Sequence, residues 1–295
     1  MRIRYFLSFL ILPLLLTGCE NTFTPKAPYE ERIVVFSVLD PTASYQVVRL
    51  ETTFDAELDN PDERIGQRAI DSARVTIASD RRNFIFRDTL ITLGDGSQKR
   101  VWINHDLKPT EGITYTMTVD VPGFERITAT TQVPSRSYVQ IQNTLNGIRV
   151  IGEDETAYPP DGFYFRLWVV GERIEGGNTT QIRREVPLRF DNDAGSYVFT
   201  EPSRQSVELF NLSDVVRVHD EMRSVDQVSG KYLVATGYSL DKFIYSYYKL
   251  ARGFDDPVSV RQDRPDVTNV TNGVGIFGAL YPDSNRVSYS AIVTQ

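Results

Sequence analysis

The sequence predicts a mainly β protein in which an antiparallel β-sandwich is followed by a second β-rich domain with one amphipathic helix. Three observations predict it. Between Arg32 and Val133, seven short alternating or β-branched runs are separated by Gly, Pro and Asp, the punctuation of a sandwich. A Leu-Pro-Gly-Tyr order stands just ahead of the sixth run. Near residues 240–252 the apolar residues change to helical spacing.

Everything before the sandwich reads as export and anchoring. Arg2 and Arg4 precede an apolar run from Tyr5 to Leu16, which together form the n- and h-regions of a signal peptide. The run is shorter than the roughly 20 apolar residues of a spanning helix, and Pro13 interrupts it. It ends in Leu16-Thr-Gly-Cys19, which holds the only cysteine of 295 residues and resembles the lipobox at which bacterial lipoprotein signal peptides are cut. Residues 1–18 are therefore expected to be removed and Cys19 to carry palmitate-type acyl chains. An ordinary secretory signal with a cysteine near its cut is the alternative. Several chains on one cysteine anchor durably, at about 0.8 kcal/mol per buried methylene. Residues 19–31 are polar, include Pro25 and Pro28, and read as a tether. The net charge of −7 disfavours anionic headgroups and nucleic acid as partners. With one cysteine there is no disulfide within the chain, so the fold rests on its core.

The sandwich is expected over residues 32–135. Its strands are Arg32 to Leu39, closed by Asp40-Pro41, then Tyr45 to Phe54, Ala73 to Ala78, Phe84 to Arg87, Val101 to Asn104, Tyr115 to Val121 and Ile127 to Val133. Leu107-Lys-Pro109-Thr-Glu-Gly112-Ile-Thr-Tyr115 resembles the tyrosine corner of immunoglobulin/fibronectin III-like sandwiches, in which the phenol bonds back to the upstream backbone. A generic turn before a strand tyrosine is the alternative. Pro134 blocks further ladder pairing, and the boundary is placed at Val133-Pro134-Ser135.

Residues 136–295 form the expected second domain. Phe163 to Val170 is the heaviest apolar strand and reads as central; Gly176-Gly177-Asn178 and Asp191 to Gly195 mark hairpins, and Lys231 to Tyr238 is a further strand. Leu240, Phe243, Ile244, Tyr247 and Ala251 define the helix, with Ser239 as N-cap, Asp241 in its first turn and Gly253 at its end. Tyr245 and Tyr248 are expected near the edges of its buried side. A last strand is expected from Arg286 to Val293.

Asn269-Val-Thr-Asn-Gly273-Val-Gly275-Ile-Phe277-Gly278-Ala279 has no lysine at P-loop spacing and is no phosphate cradle. Together with the lipobox, the Ile-Val-Val strand, the Val-Pro end of the sandwich and the helix, it resembles the outer-membrane lipoprotein family known as domain of unknown function (DUF) 4249. The resemblance implies an accessory subunit, often beside TonB-dependent outer-membrane transporters of nutrient uptake, with no catalytic residue to carry over. Only Glu20 follows Cys19 closely as an acid, so the periplasmic face and the cell surface both stay open. In bacteria carrying the family, exported proteins are O-glycosylated at Asp-Ser/Thr-small-apolar triplets. Asp71-Ser72-Ala73 and Asp88-Thr89-Leu90 match, making Ser72 and Thr89 candidate acceptors.

Catalytic patterns are sparse. Ser239-Leu-Asp-Lys242 has the spacing of an acyl-enzyme Ser-x-x-Lys, yet no Lys-Thr-Gly accompanies it, and His105 and His219 lie apart with no zinc signature. Asp191-Asn-Asp193-Ala-Gly195 resembles the opening of a calcium loop, for which a hairpin turn is the alternative; the acids from Asp55 to Glu63 offer a second cluster of oxygens. The expected function is a non-catalytic, membrane-anchored binding subunit whose Trp102, Trp168 and free tyrosines meet a transporter, glycan or peptide. The rival is a glycosidase-like hydrolase using two converging carboxylates.

Overall fold

Alternating apolar side chains drive most of the first seven strands to bury one face each, while the first is buried on both faces and the fifth along its second half. The seven are β1 (Ile33–Leu39), β2 (Gln46–Thr52), β3 (Arg74–Ala78), β4 (Asn83–Thr92), β5 (Gln98–Asn104), β6 (Thr114–Asp120) and β7 (Ile127–Gln132). The computed structural model describes residues 30–53, 70, 72–191, 196–251 and 267–290. β1, β2 and β5 form one side of an immunoglobulin/fibronectin III-like sandwich, and β4, β3, β6 and β7 the other. The two sides share β4, whose first half pairs with β3 and whose second half pairs with β5.

The tyrosine corner is present. Tyr115 is buried, its Oη accepts the Thr110 N–H at 3.1 Å, and Leu107 is fully buried in the same core. Gly112 takes φ +74° in the turn, where its N–H reaches the Val133 carbonyl at 2.8 Å.

The second half adds β8 (Gln140–Thr144), β9 (Gly147–Ile151), β10 (Gly162–Glu175), β11 (Asn178–Val186), β12 (Arg189–Asp191), β13 (Ser196–Val198), β14 (Val207–Asn211), α1 (Leu212–Val225), β15 (Gly230–Leu240), α2 (Lys242–Ala251) and β16 (Val274–Ser288). β10 is central, flanked by β11 and β15. The β10–β11 turn uses Gly176 and Gly177, both at positive φ, which matches the twist of the flanking strands. β14, β9 and β8 form a separate small sheet.

β16 joins the two halves. Its first residues run parallel to β1, from Val34 opposite Val274 to Leu39 opposite Ala279. The remainder runs antiparallel to β15, from Leu240 opposite Leu280 to Tyr232 opposite Ser288. The result is one eleven-stranded order, β11-β10-β15-β16-β1-β2-β5-β4-β3-β6-β7, within a compact unit from Arg32 to Gln295. One core fills the sandwich and includes Phe277 and Ala279 of β16, and a second lies between β10, β15, the small sheet and α1. A third, under α2, gathers Phe36, Tyr164, Ile244, Tyr248 and Ile276.

Four local expectations change. The last strand begins at Val274, twelve residues before Arg286, because the glycine-rich run itself pairs with β1. A second helix, α1, precedes the expected one; Val215, Val218 and Met222 supply its buried side. Ser239 is not the N-cap of α2, since pairing holds β15 extended through Leu240. The cap is Asp241, whose Oδ1 accepts the Ile244 N–H at 2.8 Å. Tyr248 lies inside the third core, not at an edge. Among the described residues, no helix is long and apolar enough to cross a membrane.

Candidate functional site

Period-two alternation along β10 sends Phe163, Phe165, Leu167 and Val169 into the second core and Tyr164, Arg166 and Trp168 to the opposite face. Register then builds rows across that face. Trp168 lies opposite Glu185 of β11 and Val234 of β15, and Val234 lies opposite Arg286 of β16. The next row holds Val170, Tyr232 and Ser288.

The aromatic groups of this face are held by guanidinium groups. Arg166 stands 4.5 Å and Arg183 4.9 Å from the Trp168 ring centre, and Arg286 stands 5.3 Å from that of Tyr232. Glu185 fixes Arg166 with a two-pronged bond, one arm of which is Nε to Oε1 at 2.8 Å. That bond holds the Arg166 guanidinium above its ordinary pKa. The Thr236 and Ser284 hydroxyls pair at 3.1 Å beside it, and burial pushes the Tyr238 phenol up. A fixed, half-exposed set of Trp, Tyr and Arg can stack and hydrogen-bond without first losing rotamer freedom.

A second feature lies where β6, β7, the segment leading into β10 and the start of α2 meet. A cavity of about 290 Å³ is lined by Thr131, Gln132, Tyr158, Asp161, Asp241 and Lys242, among others. Asp241 is 6% exposed, and its second oxygen accepts the Thr131 hydroxyl while the first caps α2. Burial pushes its carboxyl up to about 6, against the opposing pull of the Thr131 hydroxyl and the Ile244 and Ala279 backbone; the Asp161 charge adds to the rise.

The residues singled out in the sequence scatter. Cys19, Asp193 and the Asp55–Glu63 loop lie outside the described residues, as does the side chain of Asp191, whose backbone belongs to β12. Ser72 is exposed. Thr89 is half-buried on β4, and its hydroxyl bonds the Arg87 carbonyl at 3.2 Å. Trp102 is not free for a ligand: it is 1% exposed in the sandwich core, with Nε1 donating to the Ala73 carbonyl at 3.3 Å. Ser239 is buried with its hydroxyl on that of Ser137, while Lys242 places Nζ 4.6 Å from the Phe243 ring centre. His105 lies beside Tyr45, and His219 stacks on Tyr289. Among the described residues, no group of three or more His, Cys, Asp or Glu could hold a metal ion.

Of the two expected tryptophans, Trp168 lies on the open face and Trp102 does not, and Tyr232 is the tyrosine that stands beside Trp168 there. The Arg166 partner of Trp168 is signalled by the alternation of the two residues along β10, whereas Arg183 comes from β11 and is placed beside the ring only by strand register.

The crystal structure of chicken CNTN1 FN1-FN3 domains is similar at 9% identity, covering 86% of this chain and 68% of that chain with a TM-score of 0.18. No curated protein matches the chain. The family model described as "Domain of unknown function (DUF4249)" matches residues 20–286, nearly the whole sequence, and the chain belongs to that family.

Proposed function

We propose that the protein is a non-catalytic binding subunit, held at the outer membrane by an acylated Cys19 and docked on a TonB-dependent transporter engaged in nutrient uptake. The observation that carries this reading is the open face of β10, β15 and β16, where two guanidinium groups stand within 5 Å of the Trp168 ring centre and a third stands over Tyr232. Trp, Tyr and Arg are the side chains that dominate binding energy at protein interfaces, and here they are fixed in advance. Extended peptides and glycans suit the same chemistry. The lipobox supports the anchor, and acidic charge makes lipid, not a basic patch, the means of attachment.

The carboxylate hydrolase is the second reading, because Asp161 and Asp241 share one cavity. Asp241 fits it poorly: both oxygens are committed, one to the helix cap and one to Thr131. Affinity purification from gently solubilised outer membranes discriminates. A transporter is expected to co-purify with the wild type, to be lost with C19A, and to fall by about tenfold or more with W168A. Retention of the protein in the membrane with no transporter bound would sink the docking reading. Release of sugar from an aryl glycoside, abolished by D161N, would establish the hydrolase instead.

A further inference from the structure

The cavity between the sandwich and α2 has walls that the fold does not use up. The hydroxyls of Thr114, Thr130 and Tyr158 and the carboxylate of Asp161 line it, all on solvent-exposed residues and without a side-chain hydrogen bond to any described residue, so they are open to a ligand that displaces water. Their backbones are nevertheless anchored. Thr114 pairs with Gln132 in the β6–β7 ladder, and Thr130 lies within it. The Asp161 N–H bonds the Leu240 carbonyl at 2.9 Å. Tyr158 is held by Ser135 on both sides of its peptide, and its ring rests on Gly112, where a Cβ would lie 2.1 Å from a ring carbon. These are positioned polar groups around a small, partly aromatic space, the usual make-up of a ligand site.

Charge and size select the ligand. Asp161, Asp241 and Lys242 line the cavity, and because both oxygens of Asp241 already accept hydrogen bonds from Thr131 and the helix cap, the charges left to meet a ligand directly, Asp161 and Lys242, are one of each sign. Hydroxyls that both donate and accept match other hydroxyls, and the Tyr158 and Phe243 rings suit a C–H face. From this we infer that the cavity is a binding site for a neutral polyhydroxylated molecule about the size of one sugar ring, held by Asp161, Thr130 and Tyr158. The site is separate from the Trp168 face and does not rest on docking to a transporter.

Calorimetric titration of the full chain in detergent with glucose, galactose and inositol tests it, with glycine and calcium chloride as charged comparisons. At least one of the three polyols is expected to bind, with affinity reduced about tenfold or more by D161A, severalfold by T130V, and unchanged by L145A, a substitution of a fully exposed leucine outside the cavity lining. T130V keeps the shape of the side chain and removes only its hydroxyl, so its effect is separable from misfolding. Binding of none of the three, or equal affinity in wild type, D161A and T130V, would overturn the site. Calcium or glycine binding that D161A abolishes, with no polyol bound, would overturn its chemistry.

Discussion

Asp241 couples a cap, a buried hydrogen bond and a cavity wall in a single side chain. Its carboxyl is raised from 3.8 to about 6 because burial penalises the charged form. The sign follows directly: a proton is bound more tightly in the folded than in the unfolded chain. This group's stabilisation is therefore fully present below about pH 4 and is lost as pH rises through about 6, by about 3 kcal/mol in all. Asp241→Asn keeps an acceptor for the Ile244 N–H, as Asn is a good N-cap, and removes the ionisation. Urea unfolding between pH 4 and 8 should show D241N at least as stable as wild type at pH 8, with a shallower pH slope; parallel slopes would refute the assignment. The residue was legible only in part. Ser, Leu and Asp in a row allow the cap at Ser239 or Asp241, and what decides is how far β15 stays paired, a long-range fact that local sequence does not carry.

At the scale of elements, β16 shows what the glycine-rich motif is for. Gly275 has φ +115°, and a Cβ there would lie 2.0 Å from the Val35 carbonyl oxygen. Gly278 lets α2 settle, since a Cβ would lie 2.4 Å from Ile244 Cγ1. The motif thus serves close backbone approach, with Asn269 beside it donating to the Thr130 and Phe277 carbonyls and accepting the Phe277 N–H. Gly275→Ala should cost about 2–4 kcal/mol by strain and backbone clash. Gly94→Ala, with nothing within 4 Å, should stay within about 0.5 kcal/mol. Equal midpoints in chemical denaturation would show that the approach of β1 and β16 is not required. The seven sandwich strands and the tyrosine corner were readable because period-two alternation and turn chemistry are local signals. Helix α1 was not, because Val215, Val216 and Val218 resemble a strand and charged residues interrupt its apolar side. The parallel pairing of β1 with β16 joins residues more than 200 positions apart, and no short-range pattern encodes it.

For the whole molecule, the question is whether the sandwich stands without the second half. Val133-Pro134-Ser135 marks the place where one hydrophobic core gives way to the next, yet the structure crosses it repeatedly. Phe277 and Ala279 of β16 are fully buried in the sandwich core, and Val270 lies within it too. On the far side, Asp283 accepts Arg136 Nε at 2.8 Å and the Val139 N–H at 2.7 Å, while Asn285 donates to the Val139 carbonyl at 2.9 Å. Those bonds fix the segment that leaves the sandwich directly onto β16. A fragment ending at Ser135 keeps all seven strands and the tyrosine corner but opens one edge of β1 and a hole where Phe277 packs. Loss of a buried Phe alone costs about 3–5 kcal/mol, against a total stability of about 5–15 kcal/mol for an ordinary domain. Residues 32–135 expressed alone should therefore show no cooperative urea transition, or one at a much lower midpoint, whereas the full chain should unfold in one step by fluorescence and circular dichroism together. Matching midpoints for fragment and full chain would make the sandwich an independent domain and reduce β16 to a surface strap.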